Sequence, residues 1–251
     1  KAKSKCPKLV TVTPHYKFYK EYSERIFNIY CRYTDLVEPF GIDECWLDVS
    51  GSVNLFGSGK EIADELREVI KKEIGVTISV GVSYNKIFAK MGSDYKKPDA
   101  TTEITPENFK ELLYPLPIGD LFMVGRKTAE KLRGIGIRKI GDLEEFDEKI
   151  LYRLLGQNGR VLWQYANGYD YSPVLRFDYR EAYKSIGNGA TFKRDLMNKG
   201  DVRTCIFFLC DKVAARLRKH NYECSALQVG IKDTNFHTIQ RSSQLPSPTD
   251  L

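Results

Sequence analysis

The middle of the chain differs from both ends in its secondary-structure pattern, and this change constrains the fold more than any other sequence feature. Between residues 105 and 168 no strand pattern occurs, and short helical patterns are separated by prolines and glycines, which interrupt regular elements. A chain of 251 residues is also too long for one compact hydrophobic core. The sequence therefore predicts two or three units, with an all-helical unit in the middle.

The segments on either side of this helical unit mix strands and helices. Before it, we predict strands at 9–12, 37–40, 45–49 and 77–82, and helices starting at Pro14 and covering 59–73 and 85–94, with a loop at 96–101. After it, we predict a linker at 169–180 and then a strand (184–192), a helix (201–220) and two strands (225–232 and 236–242). The first segment is typical of an α/β layer, and the last has the order βαββ.

Positive charge is concentrated in two places. The chain has 39 Lys and Arg against 33 Asp and Glu, a net charge of +6. Residues 180–251 hold 12 basic and 7 acidic residues, which gives +5 of that excess. Residues 126–139 hold six basic residues and one acid within a neutral middle segment. A partner senses the local field, so these two segments are candidate surfaces for an anionic partner.

Several classes of protein are excluded by composition. The longest apolar run, residues 205–210, is too short to span a bilayer, and no signal-peptide pattern opens the chain. The six cysteines include no CxxC pair, and only three histidines could complete a metal site with them. We expect a soluble cytoplasmic protein with reduced cysteines and no membrane partner.

Asp43 and Glu44 are the first candidate site. On a regular strand, adjacent carboxylates point to opposite faces, but at a strand start or hairpin both can turn toward one hard cation. Oxygen ligands suit Mg²⁺, and two such ions can stabilise the attacking and leaving oxygens of a phosphoryl transfer. Two carboxylates are too few for two ions, so a third ligand is needed. The alternative is a surface turn with solvated acids.

Two basic segments are the other candidates. Lys86 and Lys90 lie one turn apart on a predicted helix, with Lys97 in the loop after it, and could neutralise phosphates or simply form a solvated face. Gly125 leads directly into a helix that begins with Arg126 and Lys127, where backbone N–H groups form a ready anion site. This is the pattern of a helix-hairpin-helix, which holds the DNA backbone without reading bases. The alternative is an ordinary helical turn with basic residues.

Several motifs together carry a resemblance to a known family. Residues 37–44 with Leu47 and Asp48, and residues 79–90 with Lys97 and Pro98, resemble the palm motifs of Y-family translesion DNA polymerases, in the DNA polymerase IV (DinB) group. Residues 134–143 resemble that family's thumb, and residues 184–187, 191–192 and 195–196 resemble the start of its little finger domain. The resemblance runs in colinear order over nearly the whole chain.

The resemblance implies a fold and an activity. The expected fold class is multidomain α+β, with a partial ferredoxin-like palm at 1–104, an all-α thumb with a helix-hairpin-helix at 105–168, a linker at 169–180 and a partial βαββ little finger at 181–251. The implied activity is template-directed transfer of a deoxynucleotide from a dNTP to a primer 3′ end, with error-prone bypass of damaged template bases. Partners would be primer-template DNA and a sliding clamp bound through a C-terminal peptide, and the enzyme would act as a monomer.

The resemblance also assigns residues. Asp43 would bridge two Mg²⁺ ions, Glu44 would bind the ion at the primer terminus, and Lys97 would meet the incoming triphosphate. The remaining residues would hold the DNA backbone: Lys86, Lys90, Gly125, Arg126, Lys127, Thr128, Lys184, Ser185, Gly187 and Arg241.

Two departures from the family pattern limit these expectations. The family's hairpin begins Gly-x-Gly, but here Met123 stands at the first glycine. The N-terminal segment that supplies the third carboxylate and most of the fingers is not in this sequence, nor is the end of the little finger. We therefore expect a chain truncated at both ends that binds DNA but is catalytically incomplete. A non-catalytic helix-hairpin-helix DNA-binding module is the rival hypothesis.

Overall fold

The computed structural model describes residues 2–179 and 182–250 and separates the chain into two compact units, Lys1–Tyr179 and Arg180–Leu251. The helices are α1 (Ala2–Lys5), α2 (Tyr16–Tyr30), α3 (Val53–Phe56), α4 (Gly59–Ile74), α5 (Lys86–Tyr95), α6 (Phe109–Leu113), α7 (Arg126–Gly134), α8 (Glu148–Leu155), α9 (Gln157–Ala166) and α10 (Lys199–Lys219). The strands are β1 (Val37–Phe40), β2 (Glu44–Leu47), β3 (Val80–Ser83), β4 (Thr101–Ile104), β5 (Cys224–Lys232) and β6 (Thr238–Thr249). Short 3₁₀ turns cover Ile118–Asp120 and Gly141–Leu143.

Strands β1 and β2 form an antiparallel hairpin in the first unit. Phe40 pairs with Glu44 in the register, and Gly41 between them has φ +81°, a conformation that glycine adopts without strain. Across the hairpin, Phe40 packs against Trp46 with ring centroids 4.8 Å apart. The tight turn places Asp43 in the loop and Glu44 at the first position of β2.

Strand β3 is parallel to β4, and α5 packs closely on this pair. The Asn85 side chain caps α5 by accepting a hydrogen bond from the Phe88 amide (2.8 Å). A Cβ atom on Gly81 of β3 would lie 1.8 Å from the Ala89 carbonyl oxygen of α5. Only glycine allows this approach, which fixes the position of the α5 lysines.

Two hydrophobic cores stabilise the first unit. One lies between α2 and α4 and contains the buried Ile29, Ile62 and Ile70, and α4 starts with a capping box between Ser58 and Glu61. The other is continuous from α5 through the helices α6 to α9. Because α5 shares its core with these helices, the α/β part and the all-helical part form one compact unit. The predicted boundaries at 104 and 168 stay predictions.

The second unit consists of α10 and the antiparallel pair β5 and β6. Asn198 caps α10 by accepting from the Asp201 amide (2.9 Å), and a register shift occurs between Cys224 and Ala226 in β5. The α+β fold class is confirmed. The predicted strand at 184–192 is wrong in detail, because its described residues are irregular and mostly exposed.

Two further predictions in the first unit differ from the structure. Residues 9–12, predicted as a strand, are exposed and pair with no described strand; an extended pattern without a partner does not form a sheet. The sequence pattern predicts that Thr101 ends the loop 96–101, but Thr101 begins β4 and pairs in the parallel register with Val80 of β3, 21 residues earlier in the chain. The turn residues before it obscured this long-range pairing.

Candidate active site

Asp43 and Glu44 lie together at the β1–β2 turn, at the edge of a cleft of about 890 Å³ in the first unit. This volume is within the usual range for small-molecule sites. Asp43 is exposed, and it makes no ion pair or hydrogen bond with the described residues. The side chain of Glu44 is 34% exposed. The turn thus presents two adjacent carboxylates to the cleft. We call this site the carboxylate cleft; Lys86, Lys90 and Lys97 also line it.

Three of the cleft residues, Glu44, Lys90 and Lys97, form a row of alternating charges with the neighbouring Asp94. Lys90 Nζ lies 3.2 Å from Glu44 Oε1 and 2.5 Å from Asp94 Oδ2, and Lys97 Nζ lies 2.6 Å from Asp94 Oδ1. Burial lowers the pKa of Lys90, but its hydrogen bonds to Asp94 and Glu44 outweigh burial and raise that pKa above its ordinary value. Lys90 is therefore charged at neutral pH.

Asp94 responds in the opposite sense. Burial raises the pKa of its carboxyl group, but the hydrogen bonds from Lys90 and Lys97 outweigh burial, so the pKa is lowered. Glu44 and Asp94 therefore each have a cationic partner.

Lys86 is held separately, at the base of the β1–β2 hairpin. Its ammonium lies 2.5 Å from Glu38 Oε2 and 5.2 Å from the Trp46 ring centroid, and the Trp46 indole donates to the Lys86 carbonyl (3.0 Å). Glu38 also accepts from the Leu175 amide (2.8 Å). Lys86 thus joins the hairpin to α5, while Glu38 also holds the segment after α9.

The donor set of the carboxylate cleft suits a hard divalent cation. Asp43 and Glu44 offer adjacent oxygen ligands, the kind that Mg²⁺ prefers. Within residues 2–179 and 182–250, no group of three or more His, Cys, Asp or Glu side chains is placed to hold a metal ion. Asp43 and Glu44 are therefore two candidate ligands for such a cation, and the described residues place no third His, Cys, Asp or Glu side chain with them.

The second candidate surface is the basic hairpin, residues 125–139. Gly125 is the N-cap of α7 and has no side chain to satisfy the first amides of the helix, and Arg126 is 84% exposed. The loop after α7 is held by Asp142, whose Oδ2 accepts from the Arg138 amide (2.7 Å) and the Lys139 amide (2.8 Å). These backbone hydrogen bonds lower the pKa of Asp142.

Most cations of the basic hairpin have no acidic partner. Arg126 lies 3.8 Å from Glu130 Oε1, the outer limit of an ion pair. The side chains of Lys127, Lys131, Arg133, Arg138 and Lys139 form no ion pair with any residue that the structure describes. Exposed cations beside free helix amides form a favourable site for phosphate groups.

Met123 stands where the hairpin pattern expects a glycine, and the structure shows the consequence. Its φ is +70°, a left-handed conformation that costs an L-residue about 1–2 kcal/mol. The side chain is 69% exposed. Met123 therefore adopts a backbone conformation that glycine adopts without strain, and its own backbone is locally strained.

The remaining predicted contacts lie in the second unit. Lys184, Ser185 and Gly187 fall in an exposed irregular segment, where the Gly187 carbonyl accepts from the Arg216 guanidinium of α10 (2.5 Å). Arg241 lies exposed on β6 opposite Val229. Their role stays a prediction.

Comparisons with known proteins agree with this arrangement. The impB/mucB/samB family matches residues 1–94, the IMS family HHH motif matches residues 106–137, and the impB/mucB/samB family C-terminal domain matches residues 183–251. DNA polymerase IV of Acetivibrio thermocellus is 50% identical over 250 residues, which is 100% of this chain and 63% of that protein. DNA polymerase IV of Clostridium perfringens strain SM101 is 40% identical, covering 96% of this chain and 66% of that protein.

The chain belongs to the impB/mucB/samB family. The resemblance to the DNA polymerase IV group is thereby confirmed. Among solved structures, a Y-family DNA polymerase chimera matches 98% of this chain and 70% of its own with a TM-score of 0.85 at 23% identity. DinB from Sulfolobus solfataricus matches 98% of this chain and 71% of its own with a TM-score of 0.65 at 23% identity. These neighbours show the same fold.

The chain spans less than two thirds of the length of the curated relatives named above. Among the described residues, no helix is long and apolar enough to cross a membrane. All six cysteines lie in the described ranges and are free.

Three acidic residues that position the two candidate surfaces were not predicted from the sequence: Asp94 and Glu38 beside the carboxylate cleft, and Asp142 beside the basic hairpin. Asp94 pairs with Lys90 at i,i+4 spacing, a signal that helix geometry offers directly. Asp142 lies inside the 3₁₀ turn Gly141–Leu143, and Asp is a residue type whose side chain commonly accepts hydrogen bonds from nearby backbone amides in turns. Glu38 meets Lys86 across 48 residues, and no local pattern predicts that contact.

Proposed function

We propose that the protein to which this chain belongs is a DNA-directed DNA polymerase of the translesion type, which adds a deoxynucleotide to a primer 3′ end and tolerates damaged template bases. The observation that supports this proposal is the carboxylate cleft, where Asp43 and Glu44 lie together with three lysines. The chain also matches, in order, the family models for the N-terminal part, the HHH motif and the C-terminal domain. Relatives named DNA polymerase IV support the same activity.

Asp43 and Glu44 would hold Mg²⁺. The ions would supply charge stabilisation for the attacking and leaving oxygens of nucleotidyl transfer. Lys97 would meet the triphosphate of a dNTP; in support, it lines the same cleft and its side chain is half-exposed. With two carboxylates from the described residues, we expect the 251-residue chain alone to bind DNA without extending a primer.

Primer-template DNA is the proposed macromolecular substrate. In the first unit, the contacts are Gly125, Arg126, Lys127 and Thr128 at the start of α7, where amides and side-chain charge face outward together. In the second unit they are Lys184, Ser185, Gly187 and Arg241. We leave the predicted contacts Lys86 and Lys90 out of this proposal because, unlike the half-exposed Lys97, both side chains are largely buried as well as paired with carboxylates. We further propose that the enzyme acts as a monomer in the cytoplasm and binds a sliding clamp.

Primer extension by the whole natural protein tests this function. We expect Asp43→Asn to reduce the rate with Mg²⁺ by roughly 100-fold or more, since metal support contributes several kcal/mol to such transfers. The matched control is Asp48→Asn, which also removes one nearby negative charge. In the unaltered chain Asp48 Oδ1 accepts from the Ser50 amide (2.9 Å), and the asparagine keeps an acceptor for that amide. DNA affinity should stay unchanged in both variants.

Extension that survives Asp43→Asn would refute the metal assignment. A whole protein that binds primer-template DNA but extends no primer with any dNTP and Mg²⁺ would favour the non-catalytic DNA-binding module instead.

A further inference from the structure

Lys90 lies between two carboxylates on the wall of the carboxylate cleft. Its Nζ is 2.5 Å from Asp94 Oδ2 and 3.2 Å from Glu44 Oε1. The side chain is 14% exposed, and α5 is fixed against β3 by the close approach at Gly81. The ammonium therefore has little freedom to move away from these two partners.

The two contacts differ in strength. The shorter one runs to Asp94, on the same helix one turn away, and Asp94 is itself held by Lys97 (2.6 Å). The longer one runs to Glu44 on β2. Charge-assisted hydrogen bonds of 2.7–2.9 Å or less are the strong ones, so the contact with Glu44 is the one that another cation would displace.

A duplex phosphate is a poor competitor for this lysine. To bind Lys90, it would have to replace one or both carboxylates at a largely buried ammonium and leave a carboxylate unpaired, which is costly. A divalent cation at Glu44 has only to displace the longer contact, and Asp94 still neutralises Lys90 afterwards.

We propose that Lys90 is a positioning residue for Glu44. Its ammonium holds the Glu44 carboxylate at the cleft by an ion pair and releases it when a divalent cation binds. Asp94 competes for the same ammonium and thereby sets the strength of the Lys90–Glu44 ion pair. The inference rests on the proposed metal site of the polymerase and assigns Lys90 and Asp94 a shared role in tuning it.

Mn²⁺ binding to the 251-residue chain tests this inference without any activity measurement. Mn²⁺ uses the same oxygen ligands as Mg²⁺, and its free concentration can be followed by electron paramagnetic resonance. We expect Lys90→Met to tighten Mn²⁺ binding by about fivefold, the size of one partly exposed ion pair. Lys90→Gln serves as a second variant, and thermal melting confirms that each variant is folded.

Asp94→Asn provides the matched test in the opposite direction. Without Asp94, Lys90 pairs with Glu44 alone, so Mn²⁺ binding should weaken by about threefold. In the Lys90→Met background, Asp94→Asn should change Mn²⁺ binding by less than about 1.5-fold, because the effect acts through Lys90. An effect of the Asp94 charge acting directly on the ion would be equal in both backgrounds.

Equal Mn²⁺ affinity in the unaltered chain and in every Lys90 and Asp94 variant, including no binding in any of them, overturns the inference. So does an Asp94→Asn effect that is the same with and without Lys90. If Lys90→Met instead lowers DNA affinity and reduces its salt dependence, Lys90 is a phosphate contact and the inference is wrong. The proposed function is tested separately by the primer-extension assay. The proposed metal site is contradicted if the Asp43→Asn chain binds Mn²⁺ as tightly as the unaltered chain.

Discussion

The carboxylate cleft and the basic hairpin both contain several lysines or arginines, but they use them differently. In the cleft, Lys86, Lys90 and Lys97 each lie 2.5–3.2 Å from a carboxylate oxygen. In the basic hairpin, Arg126 lies 3.8 Å from the Glu130 carboxylate. The Asp142 carboxylate nearby accepts hydrogen bonds from two backbone amides and forms no ion pair with a described side chain. Basic residues in a sequence therefore do not by themselves indicate a phosphate-binding site. Whether they are available to phosphate depends on whether the fold places acidic side chains beside them.

Reversing charge in the hairpin should have the largest effect on DNA binding. We expect Arg126→Glu with Lys127→Glu to weaken duplex binding by roughly 100-fold at low salt, because exposed cations opposite phosphates supply most non-specific affinity. The loss should be equal on unrelated DNA sequences, as measured by fluorescence anisotropy.

The matched control reverses two exposed cations on α8, Lys149→Glu with Arg153→Glu, which lie outside the hairpin. An equal loss from this control would show that only net charge matters. A loss that depends on DNA sequence would indicate base readout by the hairpin.

Removing Asp142, which accepts hydrogen bonds from two backbone amides of the basic hairpin, should have an intermediate effect, this time on stability. Asp142→Ala leaves the Arg138 and Lys139 amides without their acceptor, so we expect the free energy of unfolding to fall by about 1 kcal/mol. Urea denaturation at pH 7 measures this change, and Asp142→Asn, which keeps an acceptor, should lose less.

Asp142 also predicts a pH dependence. Its pKa is lowered in the folded chain by the two backbone amides, so its stabilisation is present above the unfolded pKa of about 3.9 and is lost as pH falls through the lower folded value. The difference in unfolding free energy between the unaltered chain and Asp142→Ala should therefore shrink below about pH 4. A difference that stays constant down to pH 2 contradicts this role.

The smallest effect is expected at Met123. Its positive φ is strained for methionine, so Met123→Gly should raise the free energy of unfolding by about 0.5 kcal/mol, after the entropy cost of glycine is subtracted. Met123→Ala should give no gain, because alanine meets the same backbone restriction. If both variants gain equally, exposure of the methionine side chain and not backbone strain is responsible.

The local features of both regions could be predicted from the sequence. The Gly41 turn brings Asp43 and Glu44 together because a hairpin is encoded by adjacent residues, and the Asn85 cap and the Gly125 helix start are encoded in the same way. The partners of Lys90 could be predicted only in part. Asp94 lies one helical turn away, but Glu44 reaches Lys90 only after β2 and α5 have packed.

Long-range pairing also explains the errors in the fold. Residues 9–12 and 184–192 have an extended pattern, but a strand forms only where a neighbouring strand supplies hydrogen bonds. Conversely, β4 forms directly after turn residues because β3 is available to pair with it. Local pattern predicts which segments can extend, and tertiary packing decides which of them become sheet.

The salt dependence of duplex binding tests the central comparison most directly. The logarithm of the association constant falls with the logarithm of salt concentration by about 0.9 for each phosphate contact. We predict that Arg126→Gln with Lys127→Gln reduces this slope by about 1.8, whereas Lys86→Gln with Lys90→Gln leaves it unchanged within about 0.3. A larger change from the cleft pair than from the hairpin pair would contradict the account.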